Sequence, residues 1–280
     1  MKCSLLSLHT SNFASRRLAE EAAQMSLSLQ VIDPQTLTLS HAPRDVFDLT
    51  LNRISVVEMN EFYSALLHQK GWGRQVNSLE LKLQWRDKAH QLLWLSNNGF
   101  RIIPFLCLRG KPERFQGELQ AFLSHHQEWV LKMNRGQRGV GVHMLSSTAE
   151  LEGWLESLWR MGDQDFLIQP RLKVRHEWRV SLIGSEFMCV LKRASREGKA
   201  NAHAEQEVAW VKDPPQELRD LLEGFKRAAK FDYLALDILE DGDGLFINDL
   251  NTTMGFEQLE KITGYNIALL ILNQSIRASH

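Results

Sequence analysis

The stretch DYLALDILEDGDGLFINDLNTTMGFE, residues 232–257, is where the fold of this chain is most directly legible. Two apolar runs, YLALDIL and GLFINDLN, flank Asp-Gly-Asp-Gly, a strong local signal for a β-hairpin. Asp249 and Asn251 stand two apart on the second strand, so their side chains share a face. A three-residue loop with a glycine in the left-handed region would set Asp237 opposite Asp249 and Ala235 opposite Asn251. Hard oxygen donors would then converge from Asp237, Asp249 and Asn251, a set that suits Mg²⁺ with phosphate oxygens completing its octahedron. The plainer alternative makes both aspartates solvent-facing strand residues. Against it, Asp is poor in strands, and Leu236, Ile238, Ile247 and Leu250 read as buried. Like charges set directly opposite also repel unless a cation lies between them.

The chain has 280 residues, 44% of them hydrophobic, enough for a sizeable core in one large domain or in two to three lobes. A net charge of −1 offers no global field for nucleic acid or membrane surfaces, so neither is expected as a partner. Cys3, Cys107 and Cys189 are odd in number, widely spaced and match no metal pattern; they read as buried thiols in a reducing compartment. The opening MKCSLLSLHT has too short an apolar run for a signal peptide, and nothing approaches a membrane span. A cytoplasmic location is expected.

Upstream of the hairpin, residues 1–80 read as a small α/β unit. CSLLSL is a strand, SRRLAEEAAQMSLSL a helix capped by Ser11 or Asn12, QVIDP and FDLTLNRI are strands, and VVEMNEFYSALLHQKG is a helix ending at Gly71. No glycine-rich turn follows the first strand, which excludes a dinucleotide fingerprint. Residues 78–99 read as one long amphipathic helix stopped by Asn98-Gly99. RIIPFLCL (strand), KPERFQGELQAFLSHH (helix) and EWVLKMN (strand) follow, and Ser147 to Glu150 fits a capping box. In DFLIQPRL, Pro170 has no N–H for a ladder, so that segment is expected at an edge or as a connector. EWRVSLIG and EFMCVLKR make an antiparallel pair, and Asp213-Pro214 opens the helix before the hairpin.

Lys132 lies mid-strand in WVLKMN, where a lysine needs a partner. Arg135 to Gly141, with Gly136, Gly139 and Gly141, follows it. Glycines let backbone N–H groups approach an anion, which makes a phosphate-covering loop one reading and an ordinary hairpin turn the other. No GK[ST] opens a helix here, so this is not a Walker motif. Lys88 in the long helix, Arg193 before the polar loop, Asn201 and His203 within it, and Arg53 and His9 near the start are each ordinary in isolation.

The order of these residues resembles the ATP-grasp superfamily, specifically RimK-like carboxylate–amine ligases, from about Asp87 to the C-terminus. RDKAHQLLWLSNNGFRIIPFLCL is similar to that family's Asp-Lys helix, and VLKMNRGQRGVGV to its lysine strand and glycine loop. EWRVSLIGSEFMCVLKRA resembles its Asp-Ile-Arg strand and Arg-Ala loop entry. ALDILEDGDGLFINDLNTTMGFEQLEKITGYNIA resembles its metal hairpin and closing helix. The resemblance implies an α/β (α+β) three-lobed ATP-grasp fold. Its parts would be an N-terminal preATP-grasp lobe (1–80), a central subdomain with the glycine-rich lid (81–170) and a C-terminal subdomain with the metal hairpin (171–280).

By the same resemblance, Lys88 and Lys132 hold nucleotide phosphates, with Gly139 and Gly141 in the covering loop. Gln169, Pro170, Arg171 and Leu172 line the adenine edge, and Glu177 lies near the ribose. Arg193 and Asn201 face the γ-phosphate and acyl phosphate, with Lys199 beside them. Asp237, Asp249 and Asn251 hold two Mg²⁺ or Mn²⁺ ions. The implied partners are ATP, an amino-acid amine donor such as glutamate and a carboxylate acceptor on a small molecule, peptide or protein; a homo-oligomer is left open. The chain departs from the family pattern in places. Asp249 stands where Glu is frequent, Pro170 replaces an acidic residue, Lys199-Ala200 replaces a Phe-Arg pair, and NTTMGFE replaces Asn-Ala-Ser-Pro-Gly. The alternative these leave open is a degenerate member that binds nucleotide in a regulatory or scaffold role.

Overall fold

The computed structural model describes residues 1–40, 46–69, 71–109, 112–136, 141–160, 165–194 and 208–278. Strands β1 (Lys2–Leu6), β2 (Ser28–Ile32), β3 (Leu49–Asn52) and β4 (Arg74–Val76) form a parallel sheet in the order β2-β1-β3-β4. Helix α1 (Phe13–Gln24) joins the first two strands and α2 (Glu61–His68) the last two. Asn12, rather than Ser11, caps α1, its side chain accepting from Ser15 N at 2.8 Å. The SLSL segment expected to extend that helix instead leads into β2, which begins at Ser28. Ser26 takes a left-handed φ of 55°, and Ser26 N and Leu27 N return to Ala23 O and Ala22 O, which closes the helix with a Schellman motif. The second helix begins five residues later than its apolar pattern suggested, because Asn60 caps it at Tyr63 N.

Residues 78–99 do not form one helix. They form α3 (Leu79–Gln84) and α4 (Lys88–Asn97), broken at Trp85 to Asp87. Trp85 is 1% exposed and wedges between Trp94 and Phe225, which turns the chain. The freed N-terminus of α4 is served from another element: Lys88 N donates to Asn134 O at 3.1 Å and Ala89 N to Asn134 Oδ1 at 2.9 Å.

The next unit is an antiparallel sheet with the order β5-β8-β6-β7, built from β5 (Leu106–Arg109), β6 (Trp129–Met133), β7 (Val142–Leu145) and β8 (Asp165–Pro170). Its helices are α5 (Gln116–Leu123) and α6 (Thr148–Arg160). Ser147 Oγ accepts from Glu150 N at 3.2 Å, as a capping box requires, while the Glu150 carboxylate reaches back to Ser146 N. The segment with Pro170 is not an edge: β8 is internal. The proline fits because its β5 neighbour has already ended at Ile168, so its missing N–H faces no partner on that side. Cys3 and Cys189 are buried as expected, but Cys107, on the edge strand β5, is exposed.

The last sheet has the order β11-β10-β9-β12-β13: β9 (His176–Ile183), β10 (Phe187–Ala194), β11 (Val208–Val211), β12 (Tyr233–Glu240) and β13 (Leu245–Asn251). Helix α7 (Gln216–Ala228) precedes the hairpin and is capped at Pro215, not Asp213; α8 (Glu257–Thr263) and α9 (Ile267–Arg277) follow it. One face buries Val180, Leu182, Leu236, Ile238, Ile247 and Leu250 against Leu218, Leu222 and Phe225 of α7. The other joins Ile183, Leu191 and Ala235 to α9 and to Cys3, Leu5, Leu49 and Leu51 of the first sheet. Alternation along each strand therefore supplies both cores.

Where the first and last sheets meet, Asn77 at φ 53° donates to Tyr233 O (2.6 Å) and Thr252 O (2.8 Å). Beside it Lys82 is fully buried, its Nζ donating to Ile54 O and Thr253 Oγ1, each at 2.9 Å. It makes no ion pair among the described residues. Burial, reinforced by the charge of Arg53, lowers its pKa from 10.5 to about 7. The unfolded chain therefore binds the proton more tightly between pH 7 and 10.5, and stability rises with pH across that window, by at most about 1.4 kcal/mol per pH unit. Lys82→Met should flatten the rise in urea midpoint between about pH 7 and 9; an unchanged slope would contradict the assignment.

Candidate active site

The hairpin register places Asp237 opposite Asp249 and Ala235 opposite Asn251, as the sequence predicts, but by another route. The turn has four residues, Asp241 to Gly244, since Glu240 pairs with Leu245. Asp241 Oδ1 closes it by accepting from Asp243 N (2.7 Å) and Gly244 N (3.2 Å). The register is restored by a bulge: Ile238 faces Ile247 and Asp237 faces Asp249, which leaves Asn248 as the extra residue. Ile247 and Leu250, three apart, can then enter the same core while Asp249 turns to the opposite side.

Each carboxylate meets a cation of the protein itself. Lys88 Nζ donates to Asp249 Oδ1 at 2.6 Å. Arg179, directly across from Asp237 on β9, donates through Nη1 to both carboxylate oxygens at 2.6 Å. Burial works against the Arg179 charge, but Asp237 outweighs it, and the guanidinium pKa is raised. One register step along, Arg193 Nη1 reaches Glu177 Oε1 at 2.8 Å and stands 4.0 Å from Asp237 Oδ1. Lys132, from the neighbouring sheet, donates to the bulged Asn248 Oδ1 at 2.9 Å. Burial first, and then the charge of Lys88, lower its pKa to about 8, with Asp249 acting in the other direction. Asn251 Oδ1 accepts from Thr253 N at 2.8 Å, which fixes its carboxamide with one lone pair left for a further partner.

Lys88, Lys132, Glu177, Arg193, Asp237, Asp249 and Asn251 therefore gather around the seam between the antiparallel sheets. Arg171 pairs with Glu128 at 3.4 Å, and its backbone N–H donates to Glu128 O at 3.0 Å. Pro170 has no N–H and the Arg171 N–H is taken, so neither offers a backbone donor to a base edge. Gln169 is 2% exposed, and its Oε1 has no partner among the described residues. Gly141 is needed for the strand connection itself. At its φ of 70° a Cβ would lie 2.6 Å from Met133 Sδ, and its carbonyl accepts from Met133 N. Gly139, Lys199, Asn201 and His203 lie outside the described residues.

Arg179, Asn248 and Asn134 carry this geometry without having been singled out in the sequence. Arg179 sits in EWRVSLIG, and an arginine inside an apolar strand was the available signal. Its partner depends on β9 pairing with β12 across a separation of 58 residues, which no local pattern encodes.

The donor set fits a hard divalent cation: two opposed carboxylates and an amide oxygen, with room in the coordination shell for phosphate oxygens. No cluster of three His, Cys, Asp or Glu side chains suited to a metal occurs among the described residues, so this site would depend on a ligand to complete it. Among the described residues no helix is long and apolar enough to cross a membrane.

A family model for the RimK-like ATP-grasp domain matches residues 86–275. A probable alpha-L-glutamate ligase of Marinobacter nauticus is 26% identical over 290 residues, covering 98% of this chain and 94% of that protein. The RimK domain ATP-grasp protein of Sphaerobacter thermophilus superposes with a TM-score of 0.78 at 19% identity, over 98% of this chain and 99% of that one. The ATP-grasp ligase PsnB, solved with minimal precursor, Mg and ADP, gives a TM-score of 0.72 at 15% identity, over 99% of this chain and 97% of that one.

Removing one member of the Asp237–Arg179 pair leaves a largely buried charge without its hydrogen-bonded partner, since the two side chains are only 20% and 15% exposed. Asp237→Ala should cost about 2–3 kcal/mol in urea unfolding of the nucleotide-free protein, and adding Arg179→Met should recover at least half of it. A double variant no more stable than the single one would show that the pair does not carry this energy.

Proposed function

The chain belongs to the RimK-like ATP-grasp family, and on that premise we propose that it is an ATP-dependent carboxylate–amine ligase. The observation that carries this is the meeting of Lys88, Lys132, Asp237, Asp249 and Asn251 at one seam. In this reading Asp237, Asp249 and Asn251 hold Mg²⁺ or Mn²⁺, two ions in all. Bound there, the ions would neutralise phosphate charge and align the transferring phosphoryl group. Lys88 and Lys132 take the phosphates, and Lys88 exchanges Asp249 for a phosphate oxygen as the carboxylate turns to metal. Glu177 lies toward the ribose and residues 169–172 toward the base. Arg193 is drawn toward the charge that develops on the γ-phosphate.

The reaction runs in two steps. An acceptor carboxylate oxygen attacks the γ-phosphorus and ADP leaves, giving an acyl phosphate. An amine nitrogen then attacks the acyl carbon, the C–O bond to phosphate breaks, the nitrogen loses a proton, and amide and inorganic phosphate result. No protein nucleophile is needed, since phosphoryl transfer depends on positioning and charge neutralisation. The name of the Marinobacter relative supports glutamate as the amino acid joined, and the neighbours solved with precursor peptides support a peptide or protein acceptor.

ADP release should require both an acid and an amine. Release that is indifferent to every acceptor pool would count against ligation. Asp249→Ala should lower metal-dependent turnover at least about 100-fold with the fold retained. A second reading, a nucleotide-binding protein without turnover, is favoured by one observation: both carboxylates are already neutralised by Lys88 and Arg179. It predicts thermal stabilisation by ATP with no ADP formed. In either case Lys132 grips a phosphate only when protonated. Because its pKa in the free protein is about 8, ATP affinity should fall as pH rises through that value. Lys132→Arg should shift the fall upward, and a flat profile for the wild-type protein would refute the contact.

A further inference from the structure

Between the N-terminal segment and the hairpin lies a narrow polar pocket lined by residues including Ser55, Val57, Arg86, Lys88, Asp249 and Asn251. Of its cations, Lys88 is held by Asp249 at 2.6 Å. Arg86 has no such partner. Among the described residues no carboxylate pairs with it and no side-chain or backbone oxygen accepts from its guanidinium. Its Nε is buried and unsatisfied. The adjacent Asp87 does not serve it, being taken by Arg135 at 2.5 Å.

A buried N–H without an acceptor is costly, about 1–3 kcal/mol, and here it is the Nε–H alone, the rest of the side chain being part-buried. The surroundings also hold Arg86 in place. Trp85 before it is anchored in the core, and Gln91 clamps that junction to the hairpin: Nε2 donates to Trp85 O (2.8 Å) and Leu250 O (3.3 Å), and Oε1 accepts from Leu250 N (3.1 Å). Arg86 is thereby tied to the strand that carries Asp249 and Asn251. A pre-positioned guanidinium fork beside a reaction centre matches a planar anion with two oxygens.

We infer that Arg86 is the binding residue for a substrate carboxylate in this pocket. The inference rests on the ligase reading and deepens it. The carboxylate belongs either to the amino acid that supplies the amine or to the acceptor, and the chemistry of recognition is the same for both.

The test is calorimetric titration of the full chain with L-glutamate, with L-glutamine (side-chain carboxylate masked) and with L-isoglutamine (α-carboxylate masked). It is run with and without Mg²⁺ and a non-hydrolysable ATP analogue. The expected result is that one of the two amides binds at least tenfold more weakly than glutamate. Weak isoglutamine assigns the contact to the α-carboxylate of the amine donor, and weak glutamine assigns it to the side-chain carboxylate, as on a glutamyl acceptor. Arg86→Gln should lower glutamate affinity at least tenfold, and Arg86→Lys should lower it less, both with nucleotide affinity unchanged. Glutamate affinity within twofold of wild type in Arg86→Gln overturns the inference. So does a loss that falls on the nucleotide instead, or a wild-type protein that takes up none of the three compounds at millimolar concentration. Failure of the ligase reading appears separately, as no ADP formed from ATP when an acid and an amine are both supplied, and the nucleotide-free titrations still judge Arg86.

Discussion

Two carboxylates set face to face on adjacent antiparallel strands repel, and the arrangement at Asp237 and Asp249 persists because a cation stands behind each. Lys88 comes from a helix that begins only because the chain breaks at Trp85, and Arg179 comes from the next strand of the same sheet. Neither cation is free to leave without exposing a partly buried charge, so the pairs are held as units. In the proposed reading a phosphate would compete for the lysine while a metal ion competes for the aspartate.

Neutralisation also explains why distant parts of the chain meet here. Asn134, at the end of β6, serves the first N–H groups of α4 and so aims Lys88, while Lys132 on the same strand reaches the bulge at Asn248. The two antiparallel sheets are joined through these polar contacts. By contrast, the first and last sheets share an apolar cluster running from Cys3 and Leu5 to Ile271 and Leu272. Hydrogen bonds to charged groups give direction, whereas apolar burial gives bulk cohesion without direction. The proposed site lies where direction is needed.

Much of this was legible in the residues. The hairpin, its facing aspartates, the lysine in β6 and the antiparallel pair β9–β10 all follow from period-two patterning and turn residues. What stayed hidden depended on partners far along the chain. Continuous helical periodicity masks the break at Trp85, because only the packing of Trp94 and Phe225 around that indole makes the turn favourable. Pro170 argued for an edge, yet β8 is internal and merely outlasts one neighbour. The three-residue loop gave the right register for the wrong reason, since a longer turn and a bulge offset each other. Lys82 gave no sign of full burial, because its helical pattern is that of any amphipathic segment.

The apolar cluster beneath the parallel sheet has a temporal consequence. Strand β1 is synthesised long before the α9 side chains that share its core cluster. Until Ile183, Leu191 and Ala235 of the last sheet and the α9 side chains have been made, this apolar face is covered only in part, by Ala14, Leu18 and Ala22 of α1. Early-made strands must therefore wait for a layer made much later, and closing this core requires both the last sheet and α9 to dock on it.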